Sequence, residues 1–107
     1  MKAKYEIWQL PMSNKNVFRS FRRTKDTLTI EDYVMVYAST CTYNNDYNLE
    51  DIFFLLNQNH PADYHARSLS VSDLICIIDS RNERRWKYVD SFGFQDVTNL
   101  INMRNRL

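Results

Sequence analysis

The densest collection of chemically competent side chains lies between His65 and Asp73, where Ser68, Ser70 and Ser72 alternate ahead of a carboxylate. Nucleophilic catalysis needs a nucleophile, a base to take its proton and a group that orients the base. Ser, His and Asp crowded into so short a stretch rarely converge as a triad. The expected role is local: Ser72 and Asp73 hydrogen-bond their own backbone in a turn before the 74–78 segment, and Ser68 or Ser70 does the same. A zinc site would want four converging ligands. Cys41 and Cys76 have no CxxC partners, and His60 and His65 stand either side of a turn at Pro61. The single glycine, Gly93, excludes a phosphate-cradling glycine loop. Glu31-Asp32 and Glu50-Asp51 are adjacent pairs, which do not face each other on a helix or strand, so a solvated face explains them. The expectation is a non-catalytic chain with no metal and no cofactor.

The basic clusters are a stronger functional signal. Arg19, Arg22 and Arg23 with Lys25 form one. Arg81, Arg84, Arg85 and Lys87 form a second, with Trp86 interleaved. Arg104 with Arg106 is a third. If two of these meet in space, they make a patch for phosphate backbones or for an acidic protein surface. The alternative is scattered solubilising charge balanced by nearby Asp and Glu. The interaction candidates are therefore Arg81, Arg84, Arg85, Trp86, Lys87, Arg19, Arg22 and Arg23.

Several elements must position these groups. Tyr5, Ile7 and Trp8 to Leu10 read as a short strand ended by Pro11, which cannot donate to a ladder. Ser13-Asn14 reads as the cap of a short turn into Val17, Phe18 and Phe21. Residues Leu28 to Asp32 are ambiguous. Tyr33–Ala38 is dense in β-branched and aromatic residues and reads as a strand. Asn44-Asn45-Asp46 signals a turn. The main helix is expected at about 49–57, with Asn48 as N-cap, Glu50 and Asp51 in its first turn, and Leu49, Ile52, Phe53 and Leu56 as its apolar stripe. His60-Pro61 stops it. Leu74–Ile78 is a continuous apolar run of strand length, typical of a strand covered on both faces. Arg81–Arg84 reads as a hairpin connection to a partner strand at Trp86–Ser91, and Gly93 relieves the backbone after it. Gln95 to Arg106 closes the chain with a short helix. The fold class is α+β: a small mixed or antiparallel sheet with one main helix and a short C-terminal helix.

The chain of 107 residues, 25% charged and 44% hydrophobic, fits a single domain spanning 1–107. Its apolar content argues against disorder. A net charge of +1 excludes an acidic DNA mimic and a generally basic nucleic-acid binder, while leaving room for local patches. Met1–Leu10 lacks the apolar core of a secretory signal, and no run approaches a membrane span. The cytoplasm and free thiols at Cys41 and Cys76 are the expectation.

Several strings then resemble one family. They are Leu49–Phe53, His60–Tyr64, Arg67-Ser68-Leu69-Ser70-Val71-Ser72-Asp73-Leu74 and Tyr88-Val89-Asp90-Ser91-Phe92-Gly93-Phe94-Gln95-Asp96-Val97. With Tyr5–Leu10, Phe18–Phe21 and Tyr33–Tyr37 they resemble the YodL-like domain over about residues 4 to 98. Ala66 departs from the glycine that tends to precede Arg67 in that family, so the local turn is expected to differ. The resemblance implies a domain carried by phages, conjugative elements and plasmids of low-GC Gram-positive bacteria, with no catalytic residue to transfer. It implies an effector that binds and inhibits a host protein. The expected partner is a defence nuclease of the CRISPR or restriction type, with contact to nucleic acid or guide RNA possible and no membrane. The alternatives are a nucleic-acid-binding module and a modulator of the actin-like cell-shape cytoskeleton.

Overall fold

Alternation along the first strand sets the architecture. In the computed structural model, which describes residues 2–42 and 47–104, β1 (Lys2–Gln9) buries Ala3, Tyr5 and Ile7 on one side and leaves Lys2 and Lys4 exposed on the other. The chain continues through α1 (Phe21–Thr24), a single 3-10 turn at Ile30–Asp32, β2 (Val34–Thr42) and α2 (Tyr47–Gln58). It then forms β3 (Leu74–Ile78), β4 (Arg84–Val89), β5 (Phe94–Asp96) and α3 (Thr98–Arg104). The five strands make one sheet in the order β2-β1-β3-β4-β5. Every pairing is antiparallel, which settles the open choice between a mixed and an antiparallel sheet.

β3 is central and all five of its residues are buried, as its uninterrupted apolar run demands. One face of the sheet packs under α2: Leu49, Ile52 and Leu56 meet Tyr5, Ile7, Ile75, Ile77 and Val89. The other face is covered along β3 and β4 by the segment from Leu10 to Tyr33 and by α3. There Leu28, Tyr33, Val97 and Ile101 close over Leu74, Cys76, Trp86 and Tyr88. Trp8 and Trp86 meet edge-on in this layer, with ring centroids 5.4 Å apart.

Three boundaries differ from the sequence expectation. The main helix starts at Tyr47, so Asn48 lies inside its first turn instead of capping it. Gln95 and Asp96 pair with Tyr88 and Lys87 as β5, and the last helix therefore begins only at Thr98. The ambiguous 28–32 stretch is the 3-10 turn, whose entry Thr29 caps by accepting the Glu31 N–H. The expected turn at Asn44–Asp46 lies outside the described residues, as does Arg106. Strand β2 forms one sheet edge. It is free of charge along its length and exposes Val34, Met35 and Val36, with a bulge opposite the Ile7–Trp8 step. Among the described residues no helix is long and apolar enough to cross a membrane.

Candidate functional site

The structure separates the eight interaction candidates. Arg81 and Arg85 are exposed where the β3–β4 turn enters β4. Arg84 is 44% exposed, and its Nη1 lies 2.6 Å from Glu6 Oε1. Burial alone would raise the Glu6 carboxyl, but hydrogen bonds from Arg84 and Trp8 outweigh it and hold the group below its ordinary range. Trp86 and Lys87 are not on the surface. Trp86 packs against Trp8, and buried Lys87 places Nζ 3.1 Å from Asp96 Oδ2. Strand alternation sends these two side chains to opposite faces, and both faces are covered at this point of β4.

Arg19, Arg22 and Arg23 are exposed, but they sit at the other end of β4. The Tyr88 hydroxyl donates to the Arg19 carbonyl at 2.6 Å, and the Phe21 N–H donates to Asp90 Oδ1 at 3.1 Å. From Arg84 to Tyr88 the strand runs roughly 13 Å. The two clusters therefore do not merge into one patch. The side chains of the third lie outside the description.

The sheet register instead assembles a basic row that the sequence reading missed. Thr40 pairs with Lys4, Lys4 with Ile78, and Ile78 with Arg84, so these four residues cross four adjacent strands on one face. With strands about 4.8 Å apart, Lys4 and Arg84 are roughly 10 Å apart at the backbone. Lys2 and Thr42 form the next pair on the same face. Here the covering layer ends, and an open groove of about 540 Å³ is lined by Lys2, Lys4, Thr40, Thr42, Ser80 and Asn82 among others. Its lining also includes Asp79, whose Oδ1 accepts the Arg81 and Glu83 N–H groups of the turn. Ammonium, hydroxyl and amide donors on one concave surface suit anionic oxygens, whether phosphate or carboxylate. The signal was present as Lys-x-Lys on an alternating strand. It could not be joined to Arg84 without the register, because 80 residues separate Lys4 from Arg84.

The serine-rich segment is structural. Asp73 Oδ2 accepts the Ser70 N–H at 2.8 Å and the Gln9 Nε2–H at 3.1 Å. Ser70 Oγ donates to the Ser68 carbonyl at 3.3 Å. The Ser72 hydroxyl, however, accepts a distant amide, the Phe18 N–H at 2.9 Å, and does not close a local turn. Both Phe18 (φ +66°) and Ser72 (φ +87°) hold left-handed conformations across that bond. His65 is exposed. Burial pushes the Cys76 thiol up to about 12 despite the nearby Arg84, and it raises Cys41 too. Neither thiol is an activated nucleophile. Among the described residues no group of His, Cys, Asp and Glu could hold a metal.

The two distinctive strings of the sequence lie side by side. The Ser72 N–H donates to the Val89 carbonyl and the Val89 N–H returns to the Asp73 carbonyl, each at 2.9 Å. Beyond that exchange the Asp90 N–H closes on the Gly93 carbonyl at 3.0 Å, with Gly93 at φ +70°. A family profile described as the YodL-like domain matches residues 4–100. The chain belongs to the YodL-like domain family. No curated protein and no solved structure matches it. The span matched to the YodL-like domain takes in the sheet from Lys4 onward, α2 and the start of α3, and it includes both Lys4 and Arg84.

Proposed function

We propose that this YodL-like domain is a non-catalytic effector that acts in the cytoplasm by binding and inhibiting a host defence nuclease. The observation that supports this reading is the cross-strand row Thr40–Lys4–Ile78–Arg84 with Lys2 beside it. Nucleases present carboxylates and phosphate-binding channels, and a rigid basic row complements the first and competes with the substrate of the second. The sheet fixes the backbone positions of Lys2 and Lys4, and Glu6 holds the Arg84 guanidinium in place, while the two lysine side chains must still be ordered on docking. Arg81 borders the same end of the sheet, while Arg85, paired with Ile77, belongs to the opposite face.

The test is cleavage by RNA-guided and restriction nucleases with and without the purified protein. The expected result is inhibition and co-elution with at least one of them. Reversing charge at Lys2→Glu with Lys4→Glu should abolish both while leaving the melting transition in place. Absence of inhibition and of co-elution across several effectors would sink the reading. The same donors favour a second one, in which the groove holds the phosphates of a nucleic acid directly. That reading expects a gel shift that weakens steeply with salt, because phosphate contacts release counterions.

A further inference from the structure

A second concave surface lies on the opposite side of the sheet, and its chemistry is inverted. Helix α2 and the turn from β4 to β5 enclose a cleft of about 400 Å³. Its walls include Phe53, Phe54, Val89 and Phe94, and its polar groups include the carboxylates of Glu50 and Asp90. None of its ten lining residues carries a positive charge.

Two exposed aromatics, one lining this cleft and one on the turn beside it, lie outside the core. The stripe Leu49, Ile52 and Leu56 already supplies the buried side of α2, yet Phe54 stands on its outer side at 62% exposure. The β4–β5 turn needs a glycine at φ +70°, and Gly93 meets that need. It does not need an aromatic, yet Phe92 at its tip is 93% exposed. Large apolar side chains gathered beside an apolar cleft mark docking surfaces. The cleft is also fixed in place. The Asn57 amide clamps the Leu69 backbone, donating at 2.8 Å and accepting at 2.6 Å. Asp90 Oδ1 accepts the Ser91 and Phe21 N–H groups at 2.8 and 3.1 Å, which locks the turn.

We infer that this cleft docks a segment of a partner protein in which a large apolar side chain stands next to lysine or arginine. The apolar residue fills the space between Phe53, Phe54 and Phe94, and the cation meets Glu50 and Asp90. Asp51, exposed on the following residue of α2, adds to the same field. This charge complementarity selects against a nucleic acid and against an anionic lipid surface. The site is distinct from the basic row, which lies on the other face of the sheet, so it does not depend on the nuclease reading.

The experiment is fluorescence anisotropy on the full chain with two labelled peptides. One contains alternating Phe, Leu and Lys; the other replaces every Lys by Glu. The lysine peptide should bind and the glutamate peptide should not. Glu50→Lys and Phe54→Ser should each weaken the lysine peptide roughly tenfold or more, while Lys4→Glu leaves it unchanged. Circular dichroism melts confirm that each variant is folded, and both altered residues are exposed. The inference is overturned by equal binding of the two peptides, by absence of binding, or by binding that neither cleft substitution moves. Growth in particle size with protein concentration that Glu50→Lys removes would instead assign the cleft to a second copy of the chain and overturn the inference too.

Discussion

Asp73 is fully buried, and only one of its carboxylate oxygens is bonded among the described residues. Burial pushes the carboxyl up from 3.8 to about 6, against the opposing pull of the Ser70 amide, Gln9 and Arg67. The folded protein therefore keeps this proton to a higher pH than the unfolded chain does. Protonation favours folding: the contribution is complete below about pH 4 and gone above about pH 6. Stability should rise on acidification through that window, by an amount on the order of 2–3 kcal/mol. Urea midpoints measured from pH 7 to 4 check this, and Asp73→Asn should flatten the profile while remaining at least as stable as the parent at pH 7. Glu6 and Asp96 work in the opposite sense. Bonds from Arg84 and Trp8, and from Thr98 and Lys87, outweigh burial and hold both carboxyls low. The stability they contribute is lost as pH falls below their ordinary values of 4.5 and 3.8, so the rise from Asp73 is read between pH 7 and 5. The sequence already placed Asp73 in a turn that launches β3, since Asp before an apolar run favours local backbone bonds. It could not place the Ser72 hydroxyl, whose partner lies 54 residues away.

At the level of elements, legibility followed locality. β3 and α2 announce themselves through runs and stripes that need no partner to interpret. β5 has only three residues and exists because Tyr88 and Lys87 offer it a ladder, so the periodicity of Gln95 to Arg106 read as helix throughout. The same blindness put Trp86 and Lys87 among surface candidates. Alternation predicts one inward and one outward side chain, and only the tertiary fold shows that β4 is covered on both faces there. The long loop between α2 and β3 is a related case. Its hold on the helix passes through the paired Asn57–Leu69 bonds rather than through any secondary structure of its own. Asn57→Ala leaves the half-buried Leu69 amide and carbonyl without that partner. We expect a loss of roughly 2 kcal/mol, seen as a lower urea midpoint at an unchanged slope.

Taken whole, the molecule segregates its charge in a way that a net value of +1 conceals. The open end of one sheet face is cationic, and the cleft beside α2 on the other is anionic and apolar. Binding at the two should respond differently to salt. An anionic partner at the Lys2–Lys4 row should be lost steeply as salt rises, because both sides of that contact are charged and exposed. The apolar part of the cleft contact should persist. Parallel titrations of one protein sample across ionic strength, read once with a polyanion and once with the lysine peptide, separate the two slopes. The layer between Leu10 and α3 also carries its own optical signature. Trp8 and Trp86 are the chain's two tryptophans, held edge-to-face at 64° and 5.4 Å. Indoles this close and this inclined couple their electronic transitions, and a chiral arrangement of them yields a paired positive and negative band in far-ultraviolet circular dichroism. That couplet vanishes when the rings part, so the opening of this one layer can be timed in unlabelled protein, separately from the melting of α2.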